Sequence, residues 1–146
     1  MKKKFKLSLL DKIVTTRLER FENSLGDVCR GLRISDATYS GFGEVYFSWI
    51  KPGKIKAWKK HHEMTANIIV PVGSVKIVCS ETFTGPFKEF ILDAESKYSR
   101  ITIPPDLWFG LKGLGEKASL LVNVANMVHD PSEVQGLDIN QFDYEW

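Results

Sequence analysis

Along this chain of 146 residues, hydrophobic and polar positions alternate in short bursts bounded by turn formers. In GEVYFSWI, residues 43–50, Val45, Phe47 and Trp49 fall on one side of an extended strand and Glu44, Tyr46 and Ser48 on the other, because successive strand side chains point to opposite faces. ANIIVPV, SVKIVCS, EFILDA, YSRITI and SLLVNVANM read as further strands. Between and around them lie SLGD, YSGFG, KPGK, PVGS, FTGPF, IPPD and KGLGEK. Turns every ~8–12 residues are the rhythm of a sandwich or barrel. A helix is compatible only with DKIVTTRLERFE, 11–22, or with a single turn after Pro131. The tail GLDINQFDYEW keeps aromatics and is expected to dock. The pattern predicts an all-β chain.

Composition narrows this. The length suits one domain with a core, and 43% hydrophobic residues suit autonomous folding. Lys and Arg total 20 against 18 Asp and Glu, a formal charge of +2, too small to argue for nucleic acid. The opening MKKKFKLSLL has the look of a signal peptide, but Asp11 and Lys12 cut its apolar part short. No run approaches the roughly 20 apolar residues of a membrane span. Cys29 and Cys79 stand far apart, which predicts two reduced thiols in a cytoplasmic protein.

The densest chemistry lies in KAWKKHHEMT, 56–65. If the sheet closes into a barrel or jelly roll, its mouth is a natural small-molecule site. The column Glu44, Tyr46 and Ser48 then lines a cavity or faces solvent. His61 and His62 straddle a strand, and His61 shares the parity of Lys59. A β-barrel metal site of the cupin kind wants a His-x-His pair, a Glu and a later His. Here Gly53 and Gly73 match its glycines and His61 its second His. Lys59 takes the first His position, Thr65 or Ala66 the Glu position, and Phe109 the last His. A metal-free site is expected. Lys59 is open to four roles: a base with a lowered pKa, a Schiff-base amine, an anion contact, or a solubilising edge residue.

Read in context, the chain resembles the dTDP-4-dehydrorhamnose 3,5-epimerase family, a branch of the cupin jelly rolls. The likeness runs from GFGEVYFSWIKPGKIKAW through NIIVPVGSV and ITIPPDLWFGLKGLG to LLVNVANMVHDPSE and FDYEW. KAWK at 56–59 stands where the family reads Arg-Gly-Leu-His, VPVGSV at 70–75 matches its hairpin, and IPPDLWFG at 103–110 its Pro-containing loop. The resemblance implies a single cupin-type double-stranded β-helix over 1–146. It divides into an N-terminal arm and first strands (1–40), a jelly-roll core (41–130) and a tail (131–146). It also implies a homodimer that pairs strands across its interface.

Family members remove a proton next to a 4-keto group with a His and return one from the opposite face with a Tyr. Aligned on the resemblance, that His is Lys59, the Tyr is Val122, a second Tyr is about Met127, and a loop His is Phe109. An apolar side chain cannot shuttle a proton, so the family mechanism is not expected unchanged. Two functional readings stay open, and a purely structural dimer unit is what remains if side chains fill the cavity. In one, the protein is a nucleotide-sugar (4-keto-6-deoxyhexose) epimerase or isomerase of bacterial surface-polysaccharide (O-antigen) synthesis, needing neither metal nor cofactor. Its acid/base set would be Lys59, His61, Tyr46 and Glu44. Its substrate contacts would be Lys56, Trp58, Ser48, Trp108, Asn123 and Asn126. In the other, the same cavity binds a sugar nucleotide without turnover and the protein is a regulator or partner. Trp58 and Trp108 could instead be core, and the two asparagines could find partners within the protein.

Overall fold

A computed structural model describes residues 7–146; the first six residues of the signal-like opening lie outside it. The strands are β1 (Val14–Arg17), β2 (Arg20–Phe21), β3 (Val28–Cys29), β4 (Glu44–Ile50), β5 (Ile55–His61) and β6 (Ala66–Val72). They continue as β7 (Ser74–Ser80), β8 (Phe87–Asp93), β9 (Ser99–Ile103), β10 (Trp108–Gly113), β11 (Ser119–Ala125) and β12 (Val134–Gly136). Two five-stranded antiparallel sheets, ordered β1-β9-β6-β11-β4 and β12-β5-β10-β7-β8, form the jelly roll, and β2-β3 is a small separate ribbon.

The helix compatible with 11–22 does not form. A 3-10 turn, Leu9–Lys12, stops at Ile13, and Val14 to Arg17 pair with β9. Three of the residues from Val14 to Thr16 are β-branched, which favours a pleated surface over a helix. The single turn after Pro131 is present as a 3-10 turn, Pro131–Glu133. The IPPDLWFG stretch is a loop followed by a full strand, β10.

Burial explains why several strands are apolar without alternation. β6 is buried from Ala66 to Val70 because both of its faces are covered. Its inner face joins the main core with Ile77, Leu92 and Ile101. Its outer face lies under residues 30–40, which the buried Arg100 ties down. That guanidinium donates to the Gly31 carbonyl at 2.6 Å and to Thr38 Oγ1 at 3.0 Å, and pairs with Asp36 at 3.3 Å. The outer face of the second sheet is covered by the docked tail. Trp58 stacks on Phe142 with centroids 4.4 Å apart, and Trp146 and Tyr144 pack around it. Gly110 permits this approach: a Cβ there would meet Ala57 at 2.6 Å and the Trp146 ring at 2.7 Å.

The main core fills the side of the roll where β1, β9 and β6 face β8, β7 and β10. Where β11 and β4 face β5 and β12, the two sheets stay apart. There β4 reverses the usual rule. Val45, Phe47 and Trp49 are 40%, 67% and 54% exposed, while Glu44, Tyr46 and Ser48 turn inward. No helix among the described residues is long and apolar enough to cross a membrane.

Candidate functional site

The gap between β4–β11 and β5–β12 is a cavity of about 910 Å³. Its floor is apolar, with Met64, Ile68, Leu111 and Leu121, and polar side chains ring the upper walls. A second groove of about 1000 Å³ lies between β1 and β8. Its Arg20 is paired with Glu95 and Asp27 and no histidine lines it, whereas the first cavity holds His61.

One wall carries His61. Its Nδ1 lies 2.5 Å from Glu133 Oε1, which leaves Nε2 as the nitrogen available to a ligand. Phe109 stacks on the imidazole with centroids 6.0 Å apart. Glu133 is delivered by the turn after β11. The Asp130 side chain accepts from the Ser132 N–H, Pro131 opens the turn, and β12 then pairs with β5 from Val134↔His61 to Gly136↔Lys59. Glu133 Oε2 accepts from the N–H groups of Glu63 and Met64, both at 3.2 Å. Burial pushes the Glu133 carboxyl up, but the hydrogen bonds from His61 and the two N–H groups outweigh it and hold it below the usual carboxylate value. An ionised Glu133 fixes His61 with a proton on Nδ1 and a free pair on Nε2.

The opposite wall carries Tyr46, whose hydroxyl donates to Glu44 Oε1 at 2.5 Å. The His129 N–H donates to the same oxygen at 3.0 Å. These two bonds, from Tyr46 first, lower the Glu44 carboxyl, while the Glu44 acceptor and burial push the phenol up to about 12. Tyr46 is therefore a held, protonated acid. The negative charge of Glu133 also reaches it across the cavity.

A bulge decides the lysines. Phe109 pairs with Lys59 and Leu111 with Lys56, so Ala57 and Trp58 of β5 together oppose the single Gly110 of β10. The extra residue reverses the parity, and both Lys56 and Lys59 reach the cavity wall. Lys56 Nζ donates to Ser48 Oγ at 3.1 Å and to the Trp49 carbonyl at 2.8 Å. Lys59 is exposed and, among the described residues, has no side-chain partner.

The structure thus brings together Glu44, Tyr46, Ser48, Lys56, Lys59, His61 and Asn123. It does not bring Trp108 or Asn126. Trp108 has the opposite parity to the cavity-facing Phe109 and packs against Phe83 and Phe142 under Lys60. Asn126 Oδ1 accepts from the Thr65 N–H at 2.9 Å and serves the backbone. Trp58 borders the cavity, but its ring is committed to the tail cluster. On β11 the wall is made by Leu121 and Asn123, so Val122, between them, faces the other way. Sequence reasoning missed Glu133 and His129, which line the cavity from the loop after β11. Glu133 lies 72 residues from His61, a separation no local motif could bridge. Among the described residues no three His, Cys, Asp or Glu side chains converge as a metal set.

No family model matches the chain. A curated relative, the probable low-salt glycan biosynthesis epimerase Agl13 of Haloferax volcanii, is 29% identical over 91 residues, and the match spans 58% of each chain. A solved dTDP sugar isomerase from Desulfovibrio desulfuricans G20 is 28% identical, with a TM-score of 0.84 over 92% of this chain and 90% of that one. The dTDP-4-dehydrorhamnose 3,5-epimerase from Sulfolobus tokodaii superposes with a TM-score of 0.78 over 90% of this chain and 80% of its own, at 17% identity. The sugar 3,4-ketoisomerase QdtA from Thermoanaerobacterium thermosaccharolyticum does so at 0.72, over 90% and 92%, also at 17% identity. This chain has the cupin fold of the dTDP-sugar epimerases and isomerases, and in sequence it resembles a dTDP sugar isomerase and a glycan biosynthesis epimerase.

Proposed function

We propose that the protein is a nucleotide-sugar epimerase or isomerase that moves a proton next to a ketone without a metal. The observation that carries this is the pairing of two acid/base couples, His61–Glu133 and Tyr46–Glu44, on facing walls of one cavity. His61 Nε2 takes the proton from the carbon beside the keto group, and the C–H electron pair becomes the enolate. Tyr46 then gives its proton to that carbon from the other sheet. Removal and return from opposite walls invert the centre, because the planar enolate is reached from both faces. Glu133 keeps His61 in the basic tautomer; Glu44 keeps Tyr46 protonated.

The apolar floor suits a deoxy carbon, so a 4-keto-6-deoxyhexose is the proposed sugar. Lys59, with Lys56 beside it, suits the diphosphate that links such a sugar to its nucleotide, since clustered ammonium groups at a cleft attract polyanions. Lys59 is then an anion contact rather than the base, a role that His61 fills better. The likeness to a glycan biosynthesis epimerase and to a dTDP sugar isomerase supports a place in glycan synthesis; the proposal takes this to be surface-polysaccharide synthesis in the cytoplasm. The exposed apolar row of β4, an edge strand, supports a homodimer.

The test is proton NMR of dTDP-4-keto-6-deoxyglucose in heavy water with the purified protein. Deuterium should appear beside the keto carbon and be lost in His61→Ala, while Tyr46→Phe, which keeps the base, should stop inversion of that centre. Binding without exchange would sink the enzyme reading and leave a sugar-nucleotide-binding module.

A further inference from the structure

Enolisation leaves negative charge on the ketone oxygen, and neither couple described so far is free to receive it. Tyr46 donates to Glu44, His61 Nδ1 faces Glu133, two of the three Lys56 N–H donors go to Ser48 Oγ and the Trp49 carbonyl, and Lys59 is the diphosphate contact proposed above. We infer that Asn123 is a catalytic residue whose Nδ2 donates to the developing enolate oxygen. This rests on the enolisation proposed above.

Three features of the structure lead there. First, the Asn67 N–H donates to Asn123 Oδ1 at 3.2 Å. A backbone N–H needs an acceptor, so this bond settles which end of the amide is oxygen and turns the NH₂ end away from β6. Second, Asn123 lines the cavity and is the register partner of Tyr46 across β11 and β4. Directly opposed strand residues lie within about 5 Å of one another at Cβ, so Nδ2 and the Tyr46 hydroxyl serve the same region of a ligand. Third, Nδ2 has no protein partner among the described residues, yet it is not sealed off from solvent. An unpaired donor in an otherwise apolar strand is what a ligand oxygen would satisfy.

The chemistry balances around this contact. His61 Nε2 gains the carbon-bound proton, the C–H pair forms the new C=C bond, and the carbonyl π pair moves onto oxygen. The Asn123 N–H hydrogen bond strengthens as that charge grows. On return, the Tyr46 O–H leaves Glu44 and protonates the carbon, and the carbonyl reforms. Tyr46 then regains a proton from solvent and His61 loses one to it. A donor fixed by the backbone before reaction needs little reorganisation when the charge develops, the condition under which such contacts are most effective.

The decisive variants are Asn123→Asp, which keeps an acceptor for the Asn67 N–H, and Asn123→Ala, which adds no charge. Deuterium exchange into dTDP-4-keto-6-deoxyglucose should fall on the order of 10²–10³-fold in both. For Asn123→Ala, affinity for dTDP, which has no ketone, should stay within about twofold, because an oxyanion contact acts on the transition state rather than on the nucleotide. Exchange at the wild-type rate in either variant overturns the inference, as does parallel loss of exchange and dTDP affinity in Asn123→Ala. If the wild type exchanges and His61→Ala does not, while Asn123→Ala still does, this inference falls and the enzyme reading stands. A wild type that exchanges nothing overturns both.

Discussion

The Glu133→Gln substitution is the sharpest probe of the proposed base. It preserves shape and removes one charge. In the wild type one carboxylate oxygen lies 2.5 Å from His61 Nδ1, and the other accepts two backbone N–H groups at 3.2 Å. A glutamine has only one oxygen. Two N–H donors with no other acceptor claim it, so its NH₂ turns toward His61. Nδ1 must then accept, the imidazole proton moves to Nε2, and the nitrogen facing the cavity becomes a donor. The fold loses one charge-assisted bond and weakens two others, about 1–3 kcal/mol in all, or a melting point lower by several degrees at this size. Catalysis loses far more, because a base in the wrong tautomer costs about 10³–10⁴-fold in the analogous His–carboxylate systems. The assay is solvent-deuterium exchange beside thermal unfolding. Acid stability provides a second readout. The Glu133 carboxyl is held below its unfolded value, so its contribution is present above that value and is lost as pH falls through the folded one. The variant should lose that portion of the acid limb. Exchange within about threefold of wild type in a folded Glu133→Gln protein would refute the tautomer argument.

Four further outcomes are expected. Tyr46→Phe should stop inversion while exchange through His61 persists, with little loss of fold. In the wild type the tyrosinate absorbance of Tyr46 should appear near pH 12 rather than 10, its stabilising contribution being complete below 10 and lost as pH rises toward 12; titration near 10 would show that Glu44 does not hold it. Arg100→Met should cost about 1–3 kcal/mol in urea unfolding, because it leaves the Gly31 carbonyl and Thr38 Oγ1 without their guanidinium donor and frees residues 30–40; protection of those amides from hydrogen exchange should fall with it. Phe47→Asp places a charge in the exposed row of β4 and should give a folded monomer by sedimentation, whereas the wild type is expected to sediment as a dimer; a monomeric wild type would remove the dimer from the proposal.

Much of the architecture was legible because the alternation of GEVYFSWI, the apolar runs of β6, β7 and β9, and the glycine- and proline-containing turns are local signals. The segment 11–22 misled because its apolar spacing tolerates two periods; pairing with β9 chose between them. The polar column Glu44, Tyr46 and Ser48 could be read as one face of a strand, yet nothing local says whether such a face meets water or a cavity. Here that depended on β5 and β12 standing opposite, with the apolar half of β4 left outside.

The sequence by itself determined an all-β chain, the strand that carries Tyr46, and the histidine and lysines that share a neighbouring strand. Tertiary structure alone decided the rest. It paired His61 with Glu133 across 72 positions, brought Lys56 round to the side of Lys59 by a bulge, and turned Trp108 into the tail cluster. The physical reason is that alternation fixes only which residues share a face. Which faces meet, and where an extra residue reverses the parity, is settled by strand order and sheet packing, which are contacts between distant parts of the chain.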